Sequence, residues 1–132
     1  MPRAQWPLRN SRPMIEVALT LVQGGHALAR NLLADTGAGT AQAGFELLLD
    51  EADCVLCGGI PVKPVTLGGA YAGSFPVYLI RVHISALAFD QFVPVVGVPA
   101  SPVGFDGIAC FRFLNRFSYG NFSDPKFFGL ES

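Results

Sequence analysis

Residues 31–39 read NLLADTGAG. An apolar run, Leu32 to Ala34, ends in the acid Asp35, and a hydroxyl residue and two small residues follow. Such a run reads as a buried strand, and the glycine after it as a tight turn. A fold built on this stretch has to carry a carboxylate off the end of a core strand into a glycine turn. No second stretch of this kind occurs in the 132 residues.

The remaining chain reads mostly as strand. Met14 to Val22 alternates in part, Gln23-Gly24-Gly25-His26 reads as a hairpin turn, and Ala27 to Ala34 returns to deliver Asp35. Phe45 to Glu51 fits a strand or a short helix equally well. Val62 to Leu67 and Phe75 to Ile84 are the arms of a second hairpin around Gly68-Gly69-Ala70-Tyr71-Ala72-Gly73. Pro64 and Pro76 each remove a ladder donor, so the arms are not both central strands, and a hairpin extending from the sheet tolerates them. Phe92 to Val98 is a further strand, followed by a loop with Pro99 and Pro102. One helix is expected, near the C-terminus. There Cys110, Phe113, Leu114 and Phe117 recur at helical spacing, and Arg112, Asn115 and Arg116 supply the polar side. Asp124-Pro125 reads as a turn and Lys126 to Leu130 as a final short strand.

Length and composition bound the function. A chain of 132 residues is expected to form one domain. Hydrophobic residues make up 51% and charged residues 14%, apolar enough that a partner is expected to cover some surface. The net charge of −1 gives no electrostatic case for nucleic acid. The arginines at positions 3, 9 and 12 make only a small basic tip. The uncharged window Pro64 to Ile80 is shorter than the roughly 20 residues of a spanning helix and is broken by glycine and proline, so no membrane segment is expected. MPRAQWPLRNSRP lacks the apolar core of a signal peptide, and three cysteines cannot all pair within one chain. The expected compartment is a reducing cytosol.

The chemistry centres on Asp35. A carboxylate that activates water and passes on its proton needs a neighbour that perturbs its pKa. Two carboxylates brought together share one proton, because both cannot ionise easily. Asp-[Ser/Thr]-Gly alone arises by chance in roughly one chain of this length in twenty, so its context has to carry the case. Here the triplet follows an apolar strand, a glycine-rich hairpin lies downstream, and Gly104-Phe105-Asp106-Gly107-Ile108-Ala109-Cys110 leads into the expected helix.

This order resembles the retroviral-type aspartic proteases, or retropepsins, from about Met14 to Leu130. Leu32 to Ala38 matches their catalytic motif, Asp106-Gly107-Ile108-Ala109 resembles their later hydrophobic segment, and Arg112-Phe113-Leu114-Asn115 suits the helix after it. Cys110 stands where the family usually has glycine. The resemblance implies an all-β fold, a closed barrel of the acid-protease kind with one short C-terminal helix. Residues 1–13 would be an N-terminal arm and 14–132 the protease domain. It implies Asp35, Thr36 and Gly37 as the catalytic set, and Ala38, Gly68, Gly69, Tyr71, Ile108 and Ala109 as substrate-binding residues. The hairpin from Val62 to Tyr78 would be the flap. With one motif in the chain, the partner of Asp35 is expected to be Asp35 of a second copy, so the enzyme would be a homodimer acting on an extended peptide or protein. By the same analogy, Trp6-Pro7-Leu8 and Phe127 to Leu130 are interface candidates, and folding onto their own core is the plainer alternative. A retropepsin-like domain that binds peptides without cutting them, and a β-rich structural domain in which Asp-Thr-Gly is only a turn, are the competing readings.

No metal or other cofactor is expected. Cys54-Val55-Leu56-Cys57 lacks a second ligand pair and reads as buried structural thiols. His26 falls in a turn, and His83 belongs to no nucleophile–base arrangement. Asp50, Glu51 and Asp53 read as a solvated face, and the C-terminal phenylalanines as core and interface.

Overall fold

A computed structural model describes residues 1–100 and 104–132; Pro102 of the expected proline loop lies outside the described residues. In chain order the strands are β1 (Arg3–Pro7), β2 (Met14–Thr20), β3 (Ala27–Ala34), β4 (Leu47–Asp50), β5 (Lys63–Leu67), β6 (Gly73–Ile84), β7 (Phe89–Val98), β8 (Gly107–Ala109), β9 (Ser118–Gly120) and β10 (Phe127–Glu131). The helices are α1 (Glu51–Gly58) and α2 (Phe111–Leu114).

Alternation sets the faces. Along β2, Ile15, Val17 and Leu19 are buried while Glu16 is exposed, and β3 pairs antiparallel with it from Met14↔Leu33 to Thr20↔Ala27. The sheet continues in the order β2-β3-β8-β4-β7-β6 and returns to β2 through Ala18↔His83 and Leu19↔Val82. This makes a closed six-stranded barrel, with β5 added outside β6. Ile15, Leu19, Leu32, Leu47, Leu49, Ile80, Val82, Val93 and Val95 belong to its main core. A second cluster joins Leu48, Val77, Val96 and Val98 of β4, β6 and β7 with Phe45 before β4 and Cys110 after β8. The β5–β6 hairpin packs Val65, Leu67 and Phe75 onto it. Its arms pair Pro64 with Pro76, which costs this outer ladder little because β5 is an edge strand.

The helical content differs from expectation. There are two α-helices among the described residues, not one. The ambiguous stretch from Phe45 resolves into strand β4 and then α1, whose first turn is capped by Asp50: its side chain accepts the Ala52 N–H at 2.9 Å. Glu51 and Asp53 occupy that first turn, where the helix dipole favours acids. The C-terminal helix is a single turn, and Phe117 lies beyond it, stacked edge-on with Phe89 and Phe113 at 5.5–5.6 Å. The segment 1–13, expected as an arm, contains β1, which pairs with β10 of the same chain so that Trp6 faces Phe128. Both residues pack against the chain's own core. Among the described residues, no helix is long and apolar enough to cross a membrane.

Candidate active site

The parallel pairing of β3 with β8 builds the surroundings of Asp35. Leu32, Leu33 and Ala34 lie beside Gly107, Ile108 and Ala109. As the chain leaves the sheet, the Ala34 N–H donates to the Pro13 carbonyl at 2.9 Å and the Asp35 N–H to the Ala109 carbonyl at 3.0 Å. Asp35 is thus pinned between β2 and β8. Its half-buried carboxylate accepts the Gly37 N–H at 2.9 Å, and its carbonyl accepts the Ala38 N–H at 3.2 Å. A Cβ at position 37 would stand 3.2 Å from Asp35 Oδ1, so glycine lets the backbone close on the acid. The turn is tied to the next segment by the Phe111 N–H, which donates to the Ala38 carbonyl at 2.9 Å. Thr36 is exposed on this turn.

β8 threads between β3 and β4 only because residue 107 is glycine. A Cβ there would fall 2.2 Å from the Leu48 carbonyl oxygen and 2.7 Å from Leu49 Cδ2. The residue before it, Asp106, holds the middle of β3: its side chain accepts the Asn31 N–H at 2.8 Å, and its own N–H donates to the Asn31 carbonyl at 2.8 Å. Asn31 precedes Asp35 by four residues, about 13 Å along a strand. Asp106 is therefore committed to a structural role partway down the same strand.

Beside the Asp35 turn lies an open cavity of about 460 Å³. Ala38, Gly68, Tyr71 and Ile108, four of the residues expected to contact substrate, line it together with Gly37, Phe45, Leu48, Val65, Leu67 and Cys110. Two expected residues fall elsewhere. Gly69 opens the short turn Gly69–Tyr71 at the hairpin tip, outside that lining, with φ 69° and no atom near its Cβ position. Ala109 is fully buried between Ala34 and Leu47, because on β8 the two-residue period turns Ile108 to the cavity and Ala109 to the core.

Cys110 sits in extended backbone, φ −83° and ψ 170°, which any residue adopts, so the position makes no demand for glycine. Its side chain is buried in the second cluster, and burial pushes the thiol up to about 12, with the Asp35 charge adding to the shift.

Sequence reasoning passed over one feature of this site. Glu46 is fully buried, and its carboxylate receives Arg116 through both Nε and Nη2, the latter at 2.9 Å. Arg112 Nη2 stands 4.0 Å away and its Nη1 donates to the Ala43 carbonyl at 2.8 Å. The Glu46 carbonyl accepts the Cys110 N–H at 3.0 Å. The cluster fastens the cavity wall, Ala43 to Phe45, to α2 and the segment after it. The hydrogen bond to Glu46 raises Arg116 above its ordinary value. The available signal was an acid inside the apolar run FELLL, which a buried position tolerates only with a cation beside it.

The other candidates lie away from Asp35. Asp53, expected in a solvated face, forms a two-point pair with Arg30 at 2.7 and 2.9 Å. Cys54 and Cys57 are buried and free, burial raising both thiols, Cys54 to about 12. Among the described residues, no three His, Cys, Asp or Glu side chains converge to hold a metal. His26 is exposed. His83 Nε2 lies 3.1 Å from Thr20 Oγ1 and 3.4 Å from Asp90, at the opposite end of the β2–β3 pair from Asp35.

Comparison of the chain with protein-family models, curated proteins and solved structures finds no match.

Proposed function

We propose that the protein is a homodimeric aspartic endopeptidase of retropepsin type. The observation that supports this most is the setting of Asp35: a half-buried carboxylate at the end of a barrel strand, held by the Gly37 N–H, next to an apolar cavity under a glycine-tipped hairpin. Water activation by this chemistry takes two acids sharing a proton. Asp106, the acid of the later motif, is engaged by Asn31, four residues or about 13 Å along β3 from Asp35, and Asp53 is paired with Arg30 of the same strand. The second carboxylate of the reading is therefore Asp35 of another copy. One Asp35 takes a proton from water as general base while the other protonates the peptide carbonyl. Ala38, Tyr71 and Ile108 receive an apolar side chain of an extended peptide, and the β5–β6 hairpin closes over it and excludes water.

A peptide-binding domain without proteolysis is the second reading, favoured by the burial of Cys110 at the position of the usual glycine. Its ordinary backbone angles weaken that objection. The test combines sedimentation with cleavage of a peptide library. The expected result is a dimer whose cleavage falls by about a thousandfold in Asp35→Asn. A strict monomer at high concentration, or equal cleavage by both proteins, rejects the endopeptidase; binding without cleavage selects the second reading.

A further inference from the structure

The arginines divide into two groups. Arg3, Arg30, Arg81, Arg112 and Arg116 each lie within 4.0 Å of a carboxylate of the chain: Glu131, Asp53, Asp90 and, for the last two, Glu46. Arg9 and Arg12 have no such partner among the described residues, and both are exposed. They also sit across from each other. Each N–H donates to the other's carbonyl, at 3.1 and 3.0 Å, closing a two-residue turn. Asn10 and Ser11 make that turn with φ 51° and 61°, left-handed values at two residues that are not glycine. Like charges placed directly opposite destabilise a ladder. The Leu8 N–H, donating to the Lys126 carbonyl at 3.0 Å, anchors the hairpin to the chain just before β10.

The register places this hairpin at the candidate site. Met14 pairs with Leu33, and the Pro13 carbonyl accepts the Ala34 N–H, so continuing along the chain brings Arg12 level with Asp35. In the sheet order β2-β3-β8, Asp35 lies between the apolar cavity on the β8 side and the arginine hairpin on the β2 side. A separate hollow of about 310 Å³ opens there, lined by Arg9, Asn10, Arg12, Met14, Gly104 and Phe105.

We infer that Arg9 and Arg12 bind an acidic side chain of the peptide ligand that flanks the residue seated over Asp35. The favoured ligand is then an extended peptide with an apolar residue for the cavity and Asp or Glu flanking it. A fork of guanidinium donors suits a carboxylate, and Phe105 supplies an apolar floor for its stem. This rests on the reading of Asp35 as the point over which a peptide passes.

The test uses the full chain carrying Asp35→Asn, so that binding is read without cleavage. Two fluorescein-labelled peptide pools share randomised apolar cores and differ only in carrying Glu or Gln in the flanks. Anisotropy should show the Glu pool binding about tenfold tighter, a preference that shrinks as salt rises toward about 0.5 M. Adding R9Q and R12Q should reduce the preference below about twofold, while R9K and R12K retain part of it and melting curves verify the fold. Equal binding of the two pools, or binding of neither, overturns the inference. So does an R9Q/R12Q variant that shifts the monomer–dimer equilibrium while keeping the Glu preference, since the arginines would then face a second copy. The two readings fail separately. A Glu preference with no cleavage by the wild type removes the endopeptidase alone, and cleavage of both pools with equal kcat/KM removes the acidic subsite alone.

Discussion

Gly107 carries more of the architecture than its size implies. A methyl group at that position meets the Leu48 carbonyl oxygen at 2.2 Å, and backbone on both sides of β8 leaves nowhere to move. Gly107→Ala should cost about 3 kcal/mol in urea unfolding, the upper range for overpacking a core. A loss below about 1 kcal/mol would mean that β8 does not thread between β3 and β4. At this scale much of the candidate site was legible. The acid, the glycine that closes on it, and the placement of Ala38, Tyr71 and Ile108 follow from motif order and strand period. Ala109 lies in the core rather than at the cavity because a motif names neighbours in sequence, while the alternation of β8 sends adjacent side chains to opposite faces.

Elements were legible where a pattern stood alone and obscure where two overlapped. The β2–β3 and β5–β6 hairpins announce themselves by apolar arms around glycine. α1 was hidden because Asp50, Glu51 and Asp53 read as a solvated face and Cys54-Val55-Leu56-Cys57 as a pair of buried thiols, which separates the two halves of one helix start. Its cap was visible in Asp50 and the acids after it, had they been weighed as a helix start. The partners of β8 were not readable at all, since alternation fixes a face but names no neighbour. The Glu46–Arg116 pair joins elements 70 residues apart and escaped for the same reason. Arg116→Met should destabilise the fold by about 3 kcal/mol, because it strands a buried carboxylate. Glu46→Leu combined with Arg116→Met should recover most of that loss. A double variant no more stable than Arg116→Met in a urea melt would contradict the assignment.

At the scale of the whole molecule, the barrel presents one Asp35 and, among the described residues, no second acid bonded to it, so the proposed enzyme is complete only as a pair. Mixing wild type with an equal amount of Asp35→Asn, under conditions that let subunits exchange, leaves only about a quarter of the dimers with two carboxylates. Activity should then fall to about half that of the same wild-type protein unmixed, whereas sites confined to single chains would show no loss. Sedimentation of the mixture verifies that exchange has occurred.

The contact between Asn31 and Asp106 has a further consequence, in time rather than in space. The two residues are 75 positions apart, and β8 reaches the side of β3 only after the hairpin, β6 and β7 have been made. Loop closure over such a span comes late in folding. The turn bearing Asp35 consequently keeps only its local bonds through most of synthesis and gains those to Ala109 and Phe111 late. In the endopeptidase proposed above, the turn that carries the acid would be complete only once β8 had been added.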